Sequence, residues 1–153
     1  MSNFAVVPNN KKDINLILDK DVKGVILGVS GLSIYPFELE VEDIIEIANN
    51  TDKEIIIAMN KMIHNNDLEV IRSVLNKIKN SKISKIMFYD LGIFNICKDM
   101  NVDKELILSQ EHLNASICSN NFYYDMGIRG SYITSDITGE ELLEIKEMKI
   151  ARK

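Results

Sequence analysis

EIIIAMNKMIHNNDLE, residues 54 to 69, decides the fold. Residues 55 to 59 form an unbroken hydrophobic run rich in isoleucine, as expected of a strand covered on both faces. A helix follows, because Leu68, Ile71, Leu75 and Ile78 recur at intervals of three and four and share one face. Between strand and helix stand Asn60, Lys61, His64, Asn65 and Asn66. Polar groups just past the carboxyl end of a buried strand are where α/β proteins place their chemistry.

The same unit recurs along the chain. Further β-rich runs are FAVV (4 to 7), GVILGV (24 to 29), KIMFYD (85 to 90), ELILS (105 to 109) and GSYIT (130 to 134), making six strands in all. Helices are expected near 13 to 20, over Ile44, Ile45, Ile47 and Ala48 behind the acidic turn Glu42 and Asp43, near 91 to 100, and over 114 to 126. Asn114, Ser116, Ser119, Asn120 and Asn121 make that last segment a poor helix former. Thr138 with Glu141 reads as a capping box for a closing helix through Leu142, Leu143, Ile145 and Met148. Asn66 with Glu69 reads as a similar pair, with Asn65 or Asn66 as the cap.

Strands that start every few tens of residues with helices between them make an α/β chain of parallel βα units. No glycine-rich phosphate loop follows the first strand, where VVPNNKKD stands, and this weakens a doubly wound dinucleotide fold. A (β/α) barrel of TIM type is the better expectation. Eight units need roughly 200 residues at least, so the 153 residues form one incomplete barrel domain of about six parallel strands, spanning 1 to 153.

Composition narrows the function. Hydrophobic residues make up 46% and charged residues 27%, which suits a folded domain. A net charge of -5 opposes binding to phosphate backbones, so nucleic acid is not an expected partner. The Lys-rich stretch from Lys77 to Lys85 reads as a solvated helix end. Cys97 and Cys118 form no CxxC pair and suggest reduced thiols, hence a cytoplasmic protein with no metal site and no cofactor. Neither a secretory leader nor a membrane span is evident.

Parallel strands bring their carboxyl ends to one rim. The residues expected there are Ser30, Asn60, His64, Asp90, Gln110, Glu111, His112, Ser135 and Asp136, and both histidines of the chain are among them. Each has a plainer reading. His64 could bond a backbone carbonyl, Asp90 could cap the next helix, and GVSGL (28 to 32) is a tight turn rather than a phosphate loop. Three polar side chains ending a hydrophobic strand at Gln110, Glu111 and His112 would be costly if buried unpaired, which favours a site there. The aromatics of NFYYDMG (121 to 127) are expected to pack against the sheet, and Met59, Met62 and Met87 to fill the core.

In order, MNKMIHNNDLE (59 to 69), YDLGI (89 to 93), LSQEHLNAS (108 to 116) and MGIRGSYITSDITGEEL (126 to 142) resemble the amino-terminal portion of the collagenase-like peptidases, a bacterial family of unassigned catalytic type. The resemblance runs from about Gly24 to Ile145. It implies a (β/α) barrel, a peptidase label, and members that instead support hydroxylation of RNA bases or quinone precursors. Asn60 and His64 match the family's polar loop, Asp90 and Gly92 its Asp-Leu-Gly turn, and Gln110 the glutamine ending the fifth strand. Gly127 and Glu141 match the glycine before the sixth strand and the acid of the final capping box. The chain departs from the pattern in two ways. Cys97 and Cys118 do not match the four cysteines that hold an iron-sulfur cluster in the redox members, and SIYPFEL replaces the usual arginine after the second strand.

Three functional readings follow. The first is a peptidase, a hydrolase in which His64 or His112 exchanges protons while Asp90, Glu111 or Asp136 orients a water or an imidazole. Asn60, Gln110 and Asp136 would hold a peptide or small-molecule ligand. No HExxH helix or GxSxG elbow is present, so the common zinc and serine routes are excluded. The second is a non-catalytic binding domain whose open sheet edges at FAVV and GSYIT could close in a homodimer. The third is a truncated chain, the front part of a longer family member that supports RNA-base or quinone hydroxylation with an iron-sulfur cluster.

Overall fold

A computed structural model of the chain describes residues 4 to 110 and 116 to 151, with the side chains of 146 to 151 left out. The described residues form two compact units, divided between Lys104 and Glu105. Every pairing within each unit is parallel. The fold class expected from the sequence is therefore the one observed: α/β, parallel strands with helices between them, as in an incomplete TIM-type barrel.

The first unit is built on β2 (Gly24–Val29) and β4 (Glu54–Met59). Every residue of β2 is buried, as are residues 55 to 59 of β4, so both faces are covered. Ile26 lies opposite Ile56 and Leu27 opposite Ile57. Gly24 is required there, since a Cβ on it would stand 2.5 Å from the carbonyl oxygen of Glu54. Outward from this pair lie β5 (Lys85–Phe88) beside β4 and β1 (Ala5–Val6) beside β2. Two of the expected strands are thus shorter than the hydrophobic runs that announced them.

A further strand was not expected. β3 (Glu38–Leu39) pairs with the carboxyl end of β2, Gly28 with Glu38 and Val29 with Leu39. Two residues carry too little pattern to announce a strand; this one forms because the chain after β2 folds back on it.

The helices follow their sequence logic with adjusted ends. α1 (Lys11–Leu18) starts earlier than expected because Asn10 caps it, accepting from the N–H groups of Lys12 and Asp13. α2 (Val41–Asn49) buries Val41, Ile44 and Ala48. α3 (Leu68–Ile78) buries Ile71, Leu75 and Ile78 of the anticipated face and adds Val74, while Leu68 at its start is half-buried. α4 (Leu91–Asp99) buries Ile93, Phe94, Ile96 and Cys97.

Lysines near the amino ends of the strands bond the loops around them. Lys53 donates to the carbonyls of Lys20 (2.7 Å) and Val22 (3.0 Å), and Lys79 to that of Met100 at 2.8 Å. Lys104 reaches the carbonyl of Ser81 at 2.8 Å, and Lys85 pairs with Glu54 at 3.2 Å. Met100 closes α4, so Lys79 neutralises a helix carboxyl end. Such lysines tie together loops that are distant in the sequence.

The second unit holds β6 (Glu105–Leu108), α5 (Ile117–Met126), β7 (Gly130–Ser131) and α6 (Gly139–Ala151). β6 and β7 pair through Ile107 with Gly130 and Leu108 with Ser131. α5 ends at Gly127, whose φ of 107° is left-handed backbone that glycine adopts freely. The capping box before α6 is present: Glu141 accepts from the N–H of Thr138 at 2.7 Å, and the Thr138 hydroxyl accepts from the N–H of Glu141 at 3.3 Å. The Thr138 N–H and then the Thr138 hydroxyl, which donates to the same carboxylate at 3.0 Å, hold the Glu141 carboxyl below its ordinary value.

Candidate functional site

Because β2, β4 and β5 are parallel and in register, their following loops leave the sheet at one edge. The loop after β2 begins with a turn closed by the Leu32 N–H on the carbonyl of Val29 at 2.9 Å. Gly31 takes φ 72° within it, confirming the tight turn expected of GVSGL. Glu38 then reaches back, its carboxylate accepting from the N–H groups of Gly31 (3.0 Å) and Ser33 (3.2 Å). A Cβ on Gly28 would stand 2.9 Å from the Ser33 hydroxyl, so only glycine lets the loop lie this close.

Asn60 directly follows β4 and is 2% exposed. Its Oδ1 accepts from the Ser33 hydroxyl at 3.0 Å and from the Ile34 N–H at 3.2 Å. Lys61 adds two links to the same loop, its N–H donating to Leu32 at 3.3 Å and its ammonium to the carbonyl of Gly31. Much of the polar crowding after β4 is therefore structural lacing. It satisfies backbone groups of a loop that has no regular structure of its own.

His64 lies further along and is exposed. Its N–H donates to the Asp67 carboxylate at 2.8 Å, while its carbonyl accepts from the Asp67 N–H at 2.9 Å. Both bonds use the backbone of His64. They fix a 3-10 turn at Asn65–Asp67 that leads into α3. The expected caps are corrected here: neither Asn65 nor Asn66 caps, Asn66 and Glu69 form no pair, and Asp67 closes the turn instead. The reason is the extra turn, which moves the helix start beyond both asparagines.

Asp90 is the cap of α4, its Oδ1 accepting from the Gly92 N–H at 2.8 Å. A Cβ on Gly92 would meet Asp90 Oδ1 at 3.0 Å and Ile63 Cδ1 at 3.1 Å, so the loop carrying His64 lies against the start of α4. Tyr35 ties the loop after β2 to β5, its hydroxyl 3.5 Å from the sulfur of Met87. Sequence reasoning missed Ser33, Tyr35, Glu38 and Lys61. A glutamate in a hydrophobic setting, in SIYPFEL, was the one available signal.

In the second unit, Ser109 is buried and Gln110 half-buried just past β6. Asn120 is 4% exposed, donating to the carbonyl of Ser116 at 3.0 Å and accepting from the Ser131 hydroxyl at 3.1 Å. Ser135 and Asp136 are exposed, the Asp136 N–H lying 3.4 Å from the Thr134 hydroxyl. Glu111 and His112 lie outside the described residues.

Two apolar assignments are corrected. Met62 is 59% exposed rather than part of the core, because Lys61 on one side and the 3-10 turn on the other hold its segment at the surface. Phe122 is 60% exposed and meets Tyr123 edge-on instead of packing on the sheet. α5 turns Asn120 inward in its place. Met59 and Met87 are buried as expected.

An iron-sulfur cluster needs a set of thiolates. Cys97 is buried, and desolvation pushes its thiol up to about 12; Cys118 is exposed on α5. These two thiols do not fit such a group. Among the described residues, no cluster of three or more His, Cys, Asp or Glu could hold a metal ion, and no helix is long and apolar enough to cross a membrane.

No curated protein matches the chain. The family model described as peptidase family U32 matches residues 29 to 151. That span starts at the end of β2 and takes in the laced rim of the first unit and the described elements of the second. The resemblance seen in the ordered loop motifs is thereby established, and the chain belongs to peptidase family U32.

Proposed function

We propose that the chain is a cytoplasmic bacterial hydrolase acting on peptides, with the substrate lying along the carboxyl-end rim of β2, β4 and β5. One observation carries the reading: in a member of peptidase family U32, the His64 imidazole stands exposed on a loop whose backbone is fixed at Asn60, Lys61 and Asp67. A tied-down loop presenting an exposed imidazole is what proton exchange with a bound ligand requires. In the hydrolysis, His64 takes a proton from water as the water oxygen attacks the amide carbonyl carbon. It returns the proton to the leaving nitrogen as the C–N bond breaks. Incubation of a defined peptide mixture with the chain, followed by mass spectrometry, tests this. Cleavage that is lost in His64→Ala supports the reading; cleavage unchanged in that variant, or none by the parent chain, removes it.

A second reading is favoured by a specific observation. The Asn60 and Asp90 oxygens nearest the rim are committed to the scaffold by bonds to Ser33, Ile34 and Gly92. A rim whose acids and amides hold its own loops suits a partial barrel that binds peptides without cleaving them, alone or as a homodimer. Binding of the same peptides without any product is the result that would select it.

A further inference from the structure

Three exposed apolar side chains stand along the same rim. Ile34 is 68% exposed after β2, Met62 is 59% exposed after β4, and Leu91 is 37% exposed after β5. Their segments are neighbours. The Ile34 N–H is bonded to Asn60, two residues before Met62, at 3.2 Å. Ile63, the residue after Met62, lies 3.1 Å from where a Cβ on Gly92 would be, next to Leu91. Exposed large hydrophobes scattered singly need no explanation, but a row on two consecutive loops and the first residue of α4 is the mark of an interaction surface.

The lacing beneath explains why these side chains stay outside. The Asn60 amide and the Ser33 hydroxyl are buried where these loops leave the strands, and turning Ile34 inward would break the bond from its N–H to Asn60. The loops are also pinned from both ends by Glu38, Lys61 and Asp67. The row is thus a set of fixed apolar posts above a polar floor. Such an arrangement loses little entropy on meeting a ligand.

The size of the row points to its occupant. The three side chains together expose on the order of 300 Å², well short of the roughly 800 Å² per partner that a stable dimer buries. That area matches a few side chains of an extended peptide. Resting on the peptide reading of the same rim, we propose that Ile34, Met62 and Leu91 select peptides carrying apolar side chains, such as leucine or phenylalanine. The peptide backbone lies between them and His64.

Fluorescence anisotropy with the full 153-residue chain tests this. The probes are a fluorescein-labelled hexapeptide containing leucine and phenylalanine, and the same peptide with serine at those positions. The apolar peptide should bind at least tenfold tighter. Ile34→Ser and Met62→Ser should each weaken it fivefold or more, and Leu16→Ser, an exposed site on α1, should leave it unchanged. Met62→Gln keeps the side-chain length and should weaken binding likewise, guarding against a folding defect, which circular dichroism would also reveal. Equal binding of the two peptides, or variants that bind as the parent does, would overturn the proposal. Cleavage of both peptides alike, abolished by His64→Ala, would overturn it while leaving the hydrolase intact. Tight apolar binding without cleavage would support it and remove hydrolysis. A dimer by light scattering that Met62→Ser disperses would assign the row to a second copy and overturn it.

Discussion

The Oδ1 of Asn60 accepts hydrogen bonds from the Ser33 hydroxyl at 3.0 Å and from the adjacent Ile34 N–H at 3.2 Å, so the start of the loop after β4 is fastened to the loop after β2. Asn60 is 2% exposed and Ser33 9% exposed, and water does not replace a bond lost between them. Asn60→Ala should destabilise the chain by about 2 kcal/mol, the cost of leaving a buried hydroxyl and a backbone N–H unpaired. Urea unfolding measures it, and a loss under about 0.5 kcal/mol, the scatter of ordinary surface changes, would remove the lacing argument.

Asp90 separates a cap from a catalyst. Asp90→Ala should cost about 1 kcal/mol through the lost bond to the Gly92 N–H, while Asp90→Ser should keep most of that stability. Peptide turnover in Asp90→Ser should equal that of the parent. A serine variant that is stable but inert would mean that the carboxylate does more than cap.

Two glycines should respond in opposite ways. Gly24→Ala would drive a Cβ to 2.5 Å from the Glu54 carbonyl oxygen, a backbone atom in the neighbouring strand, and should cost about 2 kcal/mol or more. Gly139→Ala meets nothing within 4 Å at the start of α6 and should be neutral or stabilising by up to about 1 kcal/mol. Thermal unfolding of both variants side by side checks the contrast, and equal effects would contradict the strand register.

The thiols should differ in reactivity. With its thiol pushed up to about 12 by burial, Cys97 is protonated at neutral pH, whereas Cys118 is exposed. Ellman's reagent should titrate one thiol rapidly in the native chain and two in denaturant. Rapid reaction of both in the native chain would show that α4 is not packed as described.

Acid should loosen the start of α6. The Thr138 N–H and hydroxyl lower the pKa of Glu141 from its ordinary value of 4.5. A depressed carboxyl pKa contributes stability that is present above the unfolded value and lost as pH falls through the folded one. Proton NMR titration of the Glu141 side chain should therefore show a midpoint below 4.5, moving up toward it in Thr138→Ala. An unmoved midpoint in that variant would break the link.

The strands at 24 to 29 and 54 to 59 and the helix at Leu68–Ile78 were legible in the sequence, because burial on one or both faces writes itself as hydrophobic period. The Asp90 and Thr138 caps were legible because capping is local. Glu38–Leu39 was not, since its pairing depends on a loop folding back rather than on its own composition. Asp67 was hidden among asparagines equally able to cap. Met62 was misplaced because hydrophobicity states what a side chain prefers, not whether the hydrogen bonds around it permit burial. At the rim the same limit applies: residue type announced Asn60 and Asp90 as polar, and only the geometry revealed that the fold itself uses them.

Chemical-shift mapping during titration with the leucine- and phenylalanine-containing peptide tests most directly whether ligands meet the rim of the first unit. Perturbed amides should cluster at 31 to 34, 61 to 64 and 90 to 92. Shifts gathered instead around Lys53 and Lys82, near the amino ends of the strands, or spread without a focus, would contradict it.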